Sequence, residues 1–221
     1  MARRIMTQAR SAGSGIVGAA HQKFVHGRRV RVLAGHLASL LPKNAAVLDV
    51  GCGDGAIDRQ ILGQRPDVSI EGVDVLVRPQ TAIRVHTFDG VSLPFPPSSF
   101  DVVMFVDVLH HTLDPRVLLR EAGRVAKITV IKDHFRDGFL AGPTLRLMDW
   151  VGNAHHGVAL PYNYWSNAEW LAAFRDLHWK IEEMQTSLEL YPTPASWIFG
   201  RKLHFIARLS REDAAAGPRP A

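Results

Sequence analysis

The sequence predicts an α/β fold built on a mostly parallel sheet, and two stretches of the chain carry this prediction. A short apolar strand over Ala46–Val50 runs directly into a glycine turn, and a helical pattern follows over about Asp54–Gln64. Farther along, Phe100–Asp107 is almost entirely apolar, which is typical of a central parallel strand buried on both faces. A strand, a glycine turn and a helix in this order open many nucleotide-type cofactor sites.

Length and composition indicate a single domain. The chain has 221 residues, of which 47% are hydrophobic, and this is enough for one well-buried α/β core. Cys52 is its only cysteine, so a disulfide within the chain is impossible, and we predict a reducing, cytoplasmic location. No apolar stretch approaches the length of a membrane span, and residues 1–18 lack the apolar core of a signal peptide.

The net charge of +5 is concentrated near the amino terminus. Residues 1–48 contain no Asp or Glu, whereas the rest of the chain is mildly acidic. Such a segment could contact lipid headgroups, a phosphorylated substrate or nucleic acid, and it also has the composition of an organelle transit peptide or of a plain solvated arm. Its basic residues are Arg3, Arg4, Arg10, Lys23, Arg28, Arg29, Arg31 and Lys43.

The first half of the chain contains one helix and two strands besides the opening unit. A helical pattern over Lys23–Leu41 ends at Pro42. Strand two is predicted over Val68–Asp74 and strand three over Ile83–Thr87. The link between them contains Pro79 and is too short for the usual helical crossover, so we expect a single turn or an extended crossover there.

The second half of the chain continues the alternation of strands and helices and then departs from it. Asp114 and Pro115 are the N-cap and first residue of a predicted helix, and strand five follows over Ile128–Lys132. A capping box over Ser166–Glu169 opens a further helix that ends near Leu177. Two last strands are predicted as an antiparallel hairpin, because their link, Pro192–Gly200, contains no helical crossover. These strands are Trp179–Tyr191 and Lys202–Leu209.

We therefore predict a flexible basic arm at 1–20, a domain at 21–211 and a disordered tail at 212–221. Within the domain, residues 135–165 form an aromatic and polar insertion that is too long for a plain connection. We predict that this insertion supplies a pocket for a small organic molecule. Its candidate residues are Asp149, Trp150, Asn153, His155, His156, Tyr162, Asn163, Tyr164 and Trp165.

The glycine turn by itself is compatible with two cofactors. Gly51, Gly53 and Ala56 fit the dinucleotide pattern G-x-G-x-x-A, whereas Gly51, Gly53 and Gly55 after Asp49 fit D-x-G-x-G-x-G. Asp74 at the end of strand two can accept hydrogen bonds from two ribose hydroxyls, and this role serves either cofactor.

The residues that follow favour the second pattern. Asp89-Gly90, Leu93-Pro94-Phe95, Ser99-Phe100-Asp101 and Leu109-His110-His111 together resemble the class I S-adenosylmethionine-dependent methyltransferases, in particular type 11-like small-molecule members. The resemblance covers about residues 45–132, with a weaker match at 179–209. It implies a Rossmann-like seven-stranded sheet of order 3-2-1-4-5-7-6, with strand seven antiparallel and helices on both faces.

The resemblance also implies roles for individual residues. S-adenosyl-L-methionine would be the cofactor, with the glycine turn along its methionine and ribose portion, Asp74 at the ribose, Asp89 and Gly90 at the adenine, and Asp107 beside the sulfonium. The predicted cofactor-binding residues are Asp49, Gly51, Cys52, Gly53, Gly55, Asp74, Val75, Asp89, Gly90, Val106 and Asp107.

Candidate catalytic residues lie at the carboxyl ends of strands four and five, where open α/β sheets bind ligands. A general base is required when the acceptor carries a proton on the atom to be methylated. We predict His110, His111 and His134 for this role, with Asp133 as a further candidate. No Cys/His spacing typical of zinc sites is present, and no metal is predicted.

The predicted function is methyl transfer to a small or lipid-like acceptor by in-line displacement. The alternatives are a nucleotide-dependent oxidoreductase and a non-catalytic module that binds S-adenosylmethionine. An RNA methyltransferase is a further alternative because of the basic arm. Nucleic acid is not the expected partner, since the sequence shows neither an appended RNA-binding domain nor an Asn/Asp-Pro-Pro-Tyr/Phe motif.

Overall fold

The computed structural model describes residues 27–153 and 161–211, and these residues form a single seven-stranded sheet. The strand order is β3-β2-β1-β4-β5-β7-β6, as predicted. Strands β1 to β5 pair in parallel, whereas β7 runs antiparallel to both of its neighbours. The strands are β1 Ala46–Val50, β2 Ser69–Asp74, β3 Arg84–Thr87, β4 Val102–Val106, β5 Ile128–His134, β6 Trp179–Gln185 and β7 His204–Arg211.

Helices cover both faces of this sheet. On one face, α3 and α5 pack through residues such as Leu118, Trp170 and Phe174, and on the other, α1 and α2 pack through residues such as Leu33 and Ile61. Burial of one such large apolar side chain contributes about 1.5–3 kcal/mol. The helices are α1 at 27–40, α2 Ala56–Gln64, α3 Pro115–Val125, α4 Ala141–Asn153, α5 Asn167–Asp176 and α6 Ala195–Phe199, with a 3₁₀ turn at Leu109–His111.

The predicted helix starts have the expected capping geometry. The Asp114 carboxylate accepts a hydrogen bond from the Arg116 backbone N–H at 3.0 Å, and Pro115 occupies the first turn. Ser166 and Glu169 form the reciprocal capping box of α5. The α2 helix starts at Ala56 rather than 54, because Gly55 at its N-cap has a left-handed backbone with φ of 74°.

The length predicted for the sixth strand is wrong. β6 ends at Gln185, not at Tyr191, so residues 186–191 leave the sheet. Leu188 and Leu190 are nevertheless buried, because they pack beside α1, where the His36 ring nitrogen lies 3.3 Å from the Leu188 carbonyl oxygen. Their alternating burial imitates the pattern of a strand.

The insertion at 135–165 contains a helix that the sequence analysis does not predict. Ala141, Leu145 and Asp149 recur every four residues along α4 and form its buried face. The short α6 helix in the last link is also unpredicted, although β6 and β7 are antiparallel as expected. His155 and His156 lie outside the described residues, as do the predicted arm at 1–20 and the predicted tail at 212–221.

The link between β2 and β3 contains no helix, as predicted. The Ala82 backbone N–H donates to the Asp54 carbonyl oxygen at 2.8 Å, so this link is fastened to the glycine turn. Of the helices that the structure describes, none is both long enough and apolar enough to pass through a bilayer.

The absence of a side chain at Gly72 in β2 allows Cys52 to pack inside the turn. A Cβ atom at Gly72 would lie 2.3 Å from the Cys52 Sγ atom and 3.2 Å from the Ile83 Cδ1 atom. We expect Gly72→Ala to lower the free energy of unfolding by about 1–3 kcal/mol in urea titrations, because it overpacks this contact. In a Cys52→Ala background, Gly72→Ala should lower the free energy of unfolding by less. An identical loss in both backgrounds would show that Cys52 is not the obstacle.

Candidate functional site

The glycine turn joins β1 to α2, and glycine is favoured at its three positions for different structural reasons. Gly51, Gly53 and Gly55 have φ of 74°, 60° and 74°, a left-handed conformation that favours glycine. A Cβ atom at Gly51 would lie 2.5 Å from the Val108 Cγ2 atom, and one at Gly55 would lie 2.9 Å from the Ile83 Cγ1 atom. A Cβ atom at Gly53 would meet nothing within 4 Å, so this glycine leaves open space beside the turn.

Asp74 closes one side of this space. Its Oδ2 atom accepts the Gly53 backbone N–H at 2.9 Å, and its Oδ1 atom accepts the Leu76 backbone N–H at 2.8 Å. Two hydrogen bonds fix the carboxylate at the end of β2. Because each carboxylate oxygen has a second lone pair, the group can still accept ribose hydroxyls.

The loops after β2 and β3 meet beside Asp74. A Cβ atom at Gly90 would lie 3.4 Å from the Val75 Cγ1 atom, so the two loops are in close contact. The Asp89 Oδ1 atom accepts the backbone N–H groups of Val91 and Ser92 at 2.8 Å and 2.7 Å. These hydrogen bonds lower the pKa of Asp89 and fix the loop predicted to contact the adenine.

A buried acid pair lies below the glycine turn. Asp49 is buried, and burial and the neighbouring Asp58 carboxylate raise its pKa well above the usual value. Burial likewise raises the pKa of Asp58 to about 6. Burial and these acids also raise the pKa of the Cys52 thiol, which excludes a thiolate nucleophile near neutral pH. Among the described residues, neither acid forms an ion pair with a Lys or Arg, and their raised pKa values show that the buried pair resists carrying two negative charges.

The end of β4 carries a second charged group. Asp107, which follows Val106, has φ of 58° and forms ion pairs with Arg29 of α1 and with Lys132 of β5. Partial burial opposes its ionisation, but the two cations outweigh it and hold the pKa of Asp107 well below the usual value. The carboxylate predicted to lie beside the sulfonium is therefore already paired with two basic side chains.

Next to this group, two predicted catalytic histidines meet the insertion. The His110 Nδ1 atom lies 2.8 Å from the Asp133 Oδ1 atom, and its Nε2 atom lies 3.9 Å from the Asp149 Oδ1 atom. The His111 Nε2 atom lies 3.5 Å from the same Asp149 oxygen. Tyr164 stacks on the His110 ring at a centroid distance of 5.0 Å and donates its hydroxyl to the Asp149 Oδ2 atom at 3.0 Å.

The electrostatic surroundings of these two histidines differ. Burial disfavours the His110 imidazolium, but Asp133 and Asp149 outweigh burial and raise the pKa of His110 to about 10. At neutral pH His110 is therefore a buried cation between two carboxylates. Burial and the charge of His110 lower the pKa of His111, which is accordingly neutral. A neutral histidine that is partly exposed can accept a proton, whereas His110 cannot.

His134, the third candidate, is buried and neutral. Burial and the adjacent Lys132 charge lower its pKa to about 4. The Lys132 Nζ atom lies 3.4 Å from the His134 Nε2 atom and 3.4 Å from the His204 Nδ1 atom, and burial lowers the pKa of His204 too. Both rings therefore surround the ammonium group of Lys132 as neutral polar neighbours.

The remaining insertion residues have other roles. Asn163 donates its side-chain N–H groups to the carbonyl oxygens of Thr112 and Leu113, both at 3.0 Å, and thereby fixes the loop after His111. Trp165 is a core residue, Trp150 is exposed, and Tyr162 lies under the Arg146 guanidinium. The Asn153 side chain, together with His155 and His156, lies outside what the structure describes.

Sequence reasoning missed Asp58, Arg29 and Lys132. Lys132 carried the clearest signal, because it is a charged residue within an apolar strand, and it is fully buried in the structure. His110, His111 and Asp149 are close enough to coordinate an ion, although the carboxylates already balance the charge on His110. The expectation that no metal is bound stays a prediction.

Comparison with known proteins identifies the family. A family model described as a methyltransferase domain matches residues 23–183. The chain belongs to the S-adenosylmethionine-dependent methyltransferases, which confirms the resemblance found in the sequence.

Similar proteins include methyltransferases named for a hydroquinone and for ubiquinone biosynthesis. The chain is 30% identical over 135 residues to 2-methyl-6-phytyl-1,4-hydroquinone methyltransferase of Synechocystis sp., covering 57% of this chain and 37% of that protein. It is 32% identical over 93 residues to ubiquinone biosynthesis O-methyltransferase of Pseudomonas paraeruginosa, covering 37% and 39% of the two chains. The chain thus spans about two fifths of the length of these curated relatives.

A solved S-adenosylmethionine-dependent methyltransferase from Mesorhizobium loti has the same fold. The two structures agree with a TM-score of 0.60 at 20% identity over 80% of this chain and 96% of that one. At this level of identity the similarity concerns the fold.

Because the space beside Gly53 is open, we predict that an alanine at this position lowers cofactor affinity as well as folding stability. In Gly53→Ala the left-handed backbone should cost about 1–2 kcal/mol of folding free energy. Calorimetry should show an affinity for S-adenosylhomocysteine that is lower by at least about tenfold, because the methyl group fills the space left for the cofactor. Gly63→Ala on the exposed side of α2 is the matched control and should leave the affinity unchanged. Unaltered affinity in Gly53→Ala would contradict the assignment.

The charge of His110 is directly measurable by NMR. At pH 7 both ring nitrogens of His110 should carry protons, and His134 should be neutral. Since the folded-state pKa of His110 is about 10 and the unfolded value is about 6.5, its contribution to stability is complete below pH 6.5. That contribution is lost as the pH rises through 10. Titration of His110 near pH 6.5 in the folded protein would contradict the ion-pair geometry.

Proposed function

We propose that this member of the methyltransferase family transfers a methyl group from S-adenosylmethionine to a small or lipid-like organic acceptor. The contact between the glycine turn and the histidine-bearing turn carries this proposal. Gly51 packs against Val108, and the 3₁₀ turn Leu109–His111 begins at the next residue. A cofactor in the open space at Gly53 would therefore lie next to the residues suited to proton transfer.

The cofactor half of the site has a suitable set of groups. Asp74, held by the Gly53 backbone N–H, would accept the ribose hydroxyls, and Val75 and Gly90 would flank the adenine. The pair of Asp49 and Asp58 would attract the cationic amino group of the methionine portion. When bound, S-adenosylmethionine supplies a methyl group that is activated by a positively charged sulfur.

The acceptor half would position and deprotonate the acceptor. We assign the general base to His111, because it is neutral and partly exposed, and its Nε2 atom lies 3.5 Å from an Asp149 carboxylate oxygen. After accepting a proton, His111 would pair with Asp149, which Tyr164 holds in place. His110 would be a positioning residue, because its charge fixes Asp149 and keeps His111 neutral.

The acceptor proposed is a molecule with an ionisable hydroxyl group or an acidic carbon, attached to an apolar body. The buried Tyr164 ring stacks on His110 and would give the acceptor half of the site an aromatic wall. The relatives named for hydroquinone and ubiquinone biosynthesis support this class of acceptor.

The basic segment at 1–48 is proposed to contact an anionic surface, and a cytoplasmic location stays a prediction from the sequence. Two of its arginines have partners within the fold, since Arg29 pairs with Asp107 and Arg28 donates to the Glu189 carbonyl oxygen at 3.4 Å. Nucleic acid is not the expected partner.

A labelled-methyl assay on hydroquinone-type acceptors tests the proposal. His111→Gln should lower kcat by about 10²–10⁴-fold, the usual contribution of a general base, and leave the affinity for S-adenosylhomocysteine unchanged. Because the pKa of His111 is lowered, the acid limb of the wild-type rate should lie below pH 6.5. His178→Asn, at an exposed turn, is the matched control.

Three outcomes would contradict parts of this proposal. Full activity of His111→Gln would show that His111 is not the general base and would leave this role to the other candidates. Binding of a nicotinamide dinucleotide, with no binding of S-adenosylhomocysteine, would favour the oxidoreductase alternative. Cofactor binding without methyl transfer to any acceptor would favour a non-catalytic module.

A further inference from the structure

An apolar surface is exposed where α4 and α6 meet. We call it the α4–α6 surface. Phe139 is 84% exposed, Trp197 is 72% exposed and Trp150 is 57% exposed, although such side chains are normally at least partly buried. The members of the surface are Phe139, Leu140, Leu147, Trp150, Val151, Trp197 and Ile198.

One arginine joins the two helices at one end of this surface, and Leu147, Trp150 and Val151 continue it along α4 at helical spacing. The Arg201 guanidinium donates to the Ile198 carbonyl oxygen at 2.8 Å, to the Phe139 carbonyl oxygen at 3.1 Å and to the Thr144 hydroxyl at 2.7 Å. The loop before α4, the first turn of α4 and the end of α6 are therefore fastened around a single side chain. A contiguous exposed apolar patch of this kind usually marks an interaction site.

The charge of the patch is positive. Arg146, Arg201 and Lys202 are exposed, whereas the only acid within 138–153 and 192–204 is Asp149, whose side chain is buried against His111. Asp137, just before the patch, is engaged by the Asn167 backbone N–H at 2.6 Å. Within the described segments 138–153 and 192–204, the surface therefore combines exposed tryptophans with cations and contains no exposed carboxylate.

This combination matches the headgroup region of an anionic bilayer. Tryptophan side chains are favourable at the boundary between headgroups and acyl chains, and each nearby Lys or Arg adds attraction to anionic lipid. A second copy of the chain is a poorer match, because a twofold contact would bring the same cations together.

We propose that the α4–α6 surface docks on an anionic lipid bilayer, with Trp150 and Trp197 at the interface. The α4 helix would then contribute both to the histidine site and to the docking surface. Asp149 contacts His111, and its neighbour Trp150 faces outward. A lipid-like acceptor could reach the histidine pair from the membrane without crossing bulk water. The docking itself does not depend on catalysis.

Intrinsic fluorescence provides a selective test with the full chain and vesicles. Of the five tryptophans, Trp165, Trp170 and Trp179 are buried, so brominated acyl chains should quench only Trp150 and Trp197. We expect quenching and co-flotation with vesicles of phosphatidylcholine and phosphatidylglycerol, and much weaker binding to phosphatidylcholine alone.

Substitutions distinguish vesicle binding through this surface from vesicle binding through other parts of the chain. The double variant Trp150→Ser/Trp197→Ser should bind the mixed vesicles at least about tenfold more weakly, because two large apolar groups no longer enter the interface. Lys202→Glu should weaken binding only to anionic vesicles. The matched controls on α5, Leu171→Ser and Arg175→Glu, should bind like the wild type, and all variants should keep the wild-type unfolding temperature.

Three results would overturn the proposal. The first is no flotation with anionic vesicles. The second is binding that the double variant retains and that disappears only when residues 1–20 are deleted, which would assign it to the basic arm. The third is a dimer in lipid-free sedimentation that the double variant dissociates, which would assign the surface to a second copy of the chain.

Discussion

The buried ammonium group of Lys132 is the constraint on which the carboxyl edge of the sheet depends. A fully buried charge is tolerated only when it is paired, and loss of one partner of such a pair typically costs about 3–5 kcal/mol. Asp107 supplies the pairing from β4, and Arg29 joins the same carboxylate from α1. One ionic group thereby connects two central strands and the first helix. The two neighbouring rings, His134 and His204, are neutral because a further cation there would be unfavourable.

A second group of charged side chains lies between this group and the insertion. Asp133, His110 and Asp149 alternate in sign, and Tyr164 completes the hydrogen bonds of Asp149. The first group has two cations and one carboxylate, and the second has one cation and two carboxylates, so only together do they leave the acceptor half without a large net charge. The cofactor half differs, because Asp49 and Asp58 lie buried there without a described cationic partner. A cationic group would relieve the repulsion between Asp49 and Asp58 on one side, whereas His111 is a neutral proton acceptor on the other.

Much of the fold could be predicted because its signals are local. The strand of Ala46–Val50, the glycine turn, the N-cap at Asp114 and the capping box at Ser166 each depend on a few adjacent residues. The strand order came from the family resemblance. The α4 helix was missed because Gly142 and Pro143 interrupt its first turn and apolar residues lie on both of its faces.

The electrostatics of the site could not be predicted in the same way. The charge of His110 depends on Asp133 and Asp149, which are far away in sequence and come from another strand and from the insertion. The pairing of Asp49 with Asp58 depends on how α2 packs against β1, and the partners of Lys132 come from three separate elements. Sequence identified the right edge of the sheet and most of its polar residues, but tertiary packing decides which of the histidines is charged.

The cofactor site and the proton-accepting histidine are expected to meet across the contact of Gly51 with Val108. A crystal structure of the complex with S-adenosylhomocysteine would reveal whether they do. We expect ribose hydroxyls bound to the Asp74 carboxylate, the adenine between Val75 and Gly90, and the sulfur directed toward His111. A ligand bound away from Asp74, or with its sulfur separated from His111 by the glycine turn, would rule this arrangement out.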